Sequence, residues 1–198
     1  MTIGTLAMLD QEELLQLGLK ASAENDSGSA IAYLKEAVSR ADGNAVAHYI
    51  LGAEYAQIKM YQRAIGEMEA AIALDPALSI ARLQLGLLWL GADDTARAAE
   101  VLGPLAELGA QNALHQFGAG LQHLIDENLP EALRCLAEGV ALNTANPALN
   151  LDMQGIMRAI EQRQSGAAAS PAPLAAAPGD AGQERHVLLS AYTGNENG

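Results

Sequence analysis

Cysteine is almost missing from this sequence. Cys135 stands alone, so the chain can form no internal disulfide and offers no cysteine cluster to a metal ion. Aromatic residues make up 4%, fewer than a compact β-rich or mixed domain usually buries. Positive charge is scarce too. Eleven Lys and Arg stand against 24 Asp and Glu, a formal net charge of −13. Such a field repels phosphate backbones and anionic bilayers, which argues against nucleic acid and membrane surfaces as partners. The stretch from Met1 to Asp10 has neither a basic flank nor a long apolar run. It reads as neither a secretory signal nor a membrane span, and the expectation is no membrane insertion and a cytoplasmic location. What these absences leave is a protein or peptide partner of basic or apolar character.

Catalytic patterns are missing as well. His48, His115, His123 and His186 are scattered. His115 and His123 lie two helical turns apart and read as surface or partly packed residues, not as metal ligands. Cys135, with Arg134 as its local basic neighbour, reads as a reduced structural thiol. No phosphate-cradling glycine loop, nucleophile elbow or paired-carboxylate arrangement is found. The expectation is a non-enzyme with no catalytic residue, no metal and no cofactor.

What is present is a period. Gly18, Gly52, Gly86 and Gly120 recur at one spacing of 34 residues, and Ala30, Ala64, Ala98 and Ala132 recur at the same spacing. Leu17, Leu51, Leu85 and Ala119 directly precede the glycines. Four residues after each alanine stand Leu34, Met68, Leu102 and Leu136, and three beyond those stand Ala37, Ala71, Leu105 and Gly139. Steps of three and four place these residues on one helical face. A glycine on one helix and an alanine on the next let two antiparallel helices approach closely. Turn-prone stretches divide the helices, among them Asn25-Asp26-Ser27-Gly28, Asp93-Asp94 and Asp126-Glu127-Asn128, and Asp42-Gly43-Asn44 and Asp75-Pro76 divide the repeats.

On these columns the sequence resembles the tetratricopeptide repeat family. The second repeat carries the likeness most fully, through Leu51-Gly52, Tyr55, Ala64, Met68, Ala71 and Asp75-Pro76. The resemblance implies an all-α, right-handed superhelical solenoid of four helix-pair repeats, spanning 11–44, 45–78, 79–112 and 113–146, after a lead-in at 1–10. It departs from the family where a tryptophan is favoured early in the first helix, since that column reads Leu14, His48, Arg82 and Gln116. Pro104 falls inside the second helix of repeat three and should kink it or end it early. Repeat four admits two registers. A strict one puts Gln116 and His123 in core columns. A slipped one buries Leu114, Phe117, Leu121 and Leu124, with Gly118 at the close contact. Residues 147–164 read as a capping helix, with Leu149, Met153, Ile156 and Ile160 on one face and Asp152, Arg158, Glu161 and Arg163 elsewhere.

In this family the first helices line a concave groove, so the resemblance assigns a peptide-binding wall to Leu15 and Leu19 in repeat one and to Tyr49 and Ala53 in repeat two. Leu83, Leu87 and Leu90 continue it in repeat three, and Phe117, Leu121 and Leu124 in repeat four. The lysine, arginine and asparagine columns with which some relatives grip a peptide carboxylate are almost lacking here. The wall is apolar and suits an amphipathic helix or an extended apolar peptide. Residues 165–183 are rich in Ala, Gly and Pro and read as a disordered linker. The tail at 184–198 carries an apolar docking motif, Val187, Leu188, Leu189 and Tyr192. The functional expectation is an adaptor or scaffold that binds a protein or peptide in its groove. The alternatives are a secretion-type chaperone shielding an apolar client segment, and an assembly subunit forming a homo-oligomer through groove and tail.

Overall fold

The computed structural model describes residue 6, residues 8–40 and residues 43–165. The linker beyond Ser165, the tail and its docking motif at Val187, Leu188, Leu189 and Tyr192 lie outside the described residues, as does most of the lead-in. The described chain is all-helical. Its order is α1 (Gln11–Ala23), α2 (Ser27–Val38), α3 (Ala45–Gln57), α4 (Tyr61–Leu74), α5 (Ser79–Gly91), α6 (Thr95–Leu102), a 3-10 segment (Gly103–Leu108), α7 (Ala113–Ile125), α8 (Leu129–Leu142) and α9 (Pro147–Gln164). The helices pair as four tetratricopeptide-type repeats, and α9 caps the last. None of the described helices is long and apolar enough to cross a membrane.

The period is written into the helix ends as clearly as into the core. First helices and the capping helix α9 start on Asx residues in one frame: Asp10, Asn44, Asn112 and Asn146 each accept a hydrogen bond from a backbone N–H in the first turn. Leu78 breaks that column. At α1 the cap is reciprocal: Glu13 N–H donates to Asp10 Oδ1 at 2.8 Å, and Asp10 N–H donates to Glu13 Oε2 at 2.9 Å. Second helices α2 and α6 start on Asp26 and Asp94, which cap Ser29 and Arg97. Within each pair the chain reverses through one residue in the left-handed region: Asn25, Lys59, Asp93 and Glu127, with φ of 58, 62, 61 and 58°. None is glycine, and the four fall in the 34-residue frame.

The close approaches fall where the small residues recur. A Cβ on Gly18, Gly52, Gly86 or Gly120 would lie 2.5–2.8 Å from Leu34, Met68, Leu102 or Leu136, respectively. Ala30, Ala64, Ala98 and Ala132 are fully buried opposite them. Each large column residue so enclosed contributes on the order of 1.5–3 kcal/mol through removal of apolar surface from water. Repeat four keeps the strict register, because Gly120 meets Leu136 as its counterparts do. The slipped set is nevertheless partly used. Gly118 packs on Leu105, and Phe117 lies over Gly139, so both registers' small residues serve different neighbours. Pro104 ends the second helix of repeat three: α6 stops at Leu102 and the chain continues as a 3-10 segment.

The chain divides into two units, Met1–Ala81 and Arg82–Gly198. In the first, α1 and α3 are joined by a buried hydrogen bond from the Ser22 hydroxyl to a Glu54 carboxylate oxygen, and His48 Nδ1 lies 2.7 Å from Glu67 Oε2 across α3 and α4. In the second, the Gln122 amide donates to Ala99 O at 2.7 Å, holding α7 to α6. Asn143 and Asn150 interlock at the joint with α9, the Asn143 amide donating to Asn150 Oδ1 at 2.8 Å and the Asn150 amide to Asn143 O at 2.9 Å.

Candidate functional site

The ten residues expected to form an accessible wall divide into two groups. Leu15, Leu19, Tyr49, Ala53, Leu83, Phe117 and Leu121 are buried. These seven belong to the core and give a partner little surface or none, which corrects the expectation of an accessible wall for them. Phe117 shows the physical reason in repeat four: its ring packs against the backbone of Gly139 on α8. A residue read as facing outward is therefore the filling of its own helix pair. Burial also holds the Tyr49 phenol above its ordinary pKa. The remaining three, Leu87, Leu90 and Leu124, are half-buried, and so are Val46, Ile80 and Leu114 on the same columns.

The surviving apolar surface on first helices thus consists of half-exposed aliphatic edges. In the second unit they include Leu87 and Leu90 on α5 and Leu114, Leu124 and Ile125 on α7. Beside α7, the 3-10 segment leaves an apolar pocket of about 280 Å³ lined by residues that include Leu102, Ala106, His115, Gly118 and Ala119. It lies where the chain passes from the end of α6 at Leu102 into the 3-10 segment.

Sequence reasoning missed a second constellation. The imidazole of His123, in the last turn of α7, approaches Glu131 and Cys135, one turn apart on α8. Their nitrogen, oxygen and sulfur donor atoms all lie within 4.8 Å of one another. Cys135 is buried, and His123 and Glu131 are half-buried. Arg134 forms a rim: its Nε donates to Glu131 Oε2 at 2.7 Å, its Nη1 to Glu138 Oε2 at 3.1 Å, and its Nη2 to Cys135 Sγ at 3.3 Å. The hydrogen bond from Arg134 holds the Glu131 carboxyl below its ordinary pKa. Burial raises the Cys135 thiol, against the opposing pull of Arg134. In sequence His123 stands isolated, because the reversal at Glu127, which brings α8 back alongside it, leaves no mark in local spacing. The signal was available in the repeat frame, where His123 and Glu131 occupy the columns of Trp89 and Arg97.

No protein-family model matches the chain, and comparison with curated proteins finds no match. Solved structures do resemble it. One is described as MamA, residues 41 to the end, from Desulfovibrio magneticus RS-1. It has a TM-score of 0.59 and 19% identity over 78% of this chain and 85% of that one. A crystal structure of MamA gives a TM-score of 0.57 at 26% identity, covering 67% of this chain and 77% of the other. A further crystal structure of MamA protein gives 0.56 at 17% identity, covering 85% and 99%. These likenesses carry the fold, a helical repeat of tetratricopeptide type.

Proposed function

We propose that this chain is a non-enzymatic interaction scaffold that holds an apolar segment of another polypeptide against the first-helix face of repeats three and four. The observation that supports this reading is the half-buried state of four aliphatic side chains, Leu87, Leu90, Leu114 and Leu124, on a chain whose acidity disfavours nucleic acid and anionic lipid. Edges of this kind suit an amphipathic helix, whose anchors at spacings of three and four residues can insert between them. Each anchor contributes on the order of 1.5–3 kcal/mol before the cost of ordering the peptide.

The test is selection of helical peptides from a displayed library on the full-length chain, followed by fluorescence polarisation with the selected sequences. Leu90→Glu combined with Leu124→Glu should weaken binding at least tenfold, which is about 1.4 kcal/mol, while circular dichroism stays unchanged. Leu151→Glu, at an exposed position on α9, should bind as the parent does. A selection that yields no binders, or binders indifferent to Leu90 and Leu124, defeats the reading. Light scattering over a range of concentrations separates it from self-association, in which the mass would rise with concentration and fall back in the double variant.

A further inference from the structure

Repeats two and three share a ring-and-cation pair at two columns where repeat one has Ala21 and Ser29 and repeat four departs in another way. In repeat two, the Arg63 guanidinium sits over the Tyr55 ring, 5.7 Å from its centroid. In repeat three, Arg97 sits over Trp89 at 4.5 Å. Each clamp joins the end of a first helix to the start of the second, across the left-handed turn residue. The same two columns in repeat four hold His123 and Glu131, and Cys135 adds a sulfur one turn along α8. A ring-and-cation clamp is thus replaced by three metal-binding donor types gathered around one point. No hydrogen bond or ion pair among the described residues ties His123 to Glu131 or to Cys135.

We propose that His123, Glu131 and Cys135 form a binding site for zinc or an equally borderline-soft divalent cation, which joins the end of α7 to the start of α8. The donor set is one such ions accept: imidazole nitrogen, carboxylate oxygen and thiolate sulfur at metal distances of about 2.0–2.3 Å. Tetrahedral geometry at those lengths puts donors roughly 3.3–3.8 Å apart. Atoms already within 4.8 Å need shifts of about an ångström, within reach of side-chain rotation at half-exposed His123 and Glu131. The fourth position is left for water. On binding, the Cys135 thiol gives its proton to solvent as sulfur bonds the metal. Arg134 does not block the site. It engages one of the two Glu131 oxygens, and with the thiolate formed, three anionic groups face one guanidinium, an excess of negative charge for a dication to neutralise. Hydrogen bonds from Arg134 orient both the carboxylate and the sulfur from outside the ligand set.

The experiment uses the full chain, purified reduced and metal-free, and titrated with cobalt(II) as a spectroscopic stand-in for zinc. A near-ultraviolet thiolate-to-cobalt charge-transfer band, with intense tetrahedral bands in the visible, should appear at one equivalent and be displaced by zinc. Cys135→Ser should abolish the near-ultraviolet band. His123→Ala and Glu131→Gln should each weaken zinc affinity at least tenfold, whereas His115→Ala, outside the cluster, should leave it unchanged. Zinc should raise the melting temperature of the parent and not of Cys135→Ser. No charge-transfer band in the parent overturns the proposal. So does a band whose affinity is unmoved by His123→Ala and Glu131→Gln, which would report a lone thiol. Far-ultraviolet circular dichroism on the metal-free variants separates lost binding from lost folding.

Discussion

Individual residues divide sharply between those the repeat frame announces and those it hides. The glycine column was legible because only a missing side chain admits another helix so closely, and repetition separates that need from chance. Two glycines in neighbouring repeats turn this into a measurement. A Cβ on Gly86 would lie 2.5 Å from Leu102 Cδ2, whereas one on Gly66 meets nothing within 4 Å. Gly86→Ala should therefore cost about 1–3 kcal/mol through overpacking. Gly66→Ala, on an exposed face of α4, should gain about 0.5–1 kcal/mol by lowering the entropy of the unfolded chain. Denaturant melts of both variants decide it, and equal effects of one sign would refute the close-approach account. Glu54 was not legible: nothing in its surroundings marks it as the buried acceptor of the Ser22 hydroxyl. The burial of Tyr49, Leu83 and Phe117 was hidden for a related reason. Apolar residues at helical spacing report a buried face without telling which neighbour buries it.

Helices as units were easier to read than the faces they use. The α9 stripe of Leu149, Met153, Ile156 and Ile160 is buried as its spacing implied, and Arg158, Glu161 and Arg163 are exposed. Asp152, expected off the apolar face of that helix, is half-buried, and desolvation lifts its carboxyl to about 6 from an ordinary 3.8. Because the folded value lies above the unfolded one, the folded chain holds this proton more tightly. The stability contributed is complete below the unfolded value and is lost as pH rises through about 6. At neutral pH, above both values, the charged carboxylate costs on the order of 3 kcal/mol. Asp152→Asn should consequently be more stable than the parent near pH 7 by about that amount and equal to it below about pH 4. Chemical denaturation at the two pH values tests this, and a constant difference between the two chains would show that the carboxyl is fully hydrated. Repeat four's register was ambiguous for a structural reason. Gly118 and Gly120 both mark close contacts, one on Leu105 and the other on Leu136, so either could anchor a plausible frame.

Across the whole molecule, the architecture follows from a period that returns in the core, in the caps and in the turns, and agreement at all three levels is what makes it readable from sequence. The period itself says nothing of a partner, because it fixes only core, cap and turn columns. One interruption has a use of its own. From Ala106 to Gln111 every residue is exposed. The segment is held by Leu105 beneath Gly118, by the Gln116 amide donating to Ala110 O at 2.8 Å, and by His115 Nδ1 lying 3.1 Å from Ala106 O. A short Gly/Ser-rich insertion between Glu107 and Leu108 should lower stability by less than about 1 kcal/mol, since loop-closure entropy grows slowly with length, whereas the same insertion in the middle of α7 should unfold the second unit. Thermal melts of the two insertants measure the difference, and a comparable loss in both would contradict it. The bend imposed by Pro104 is thus a seam in the solenoid, where guest sequence can be grafted without disturbing the helices on either side.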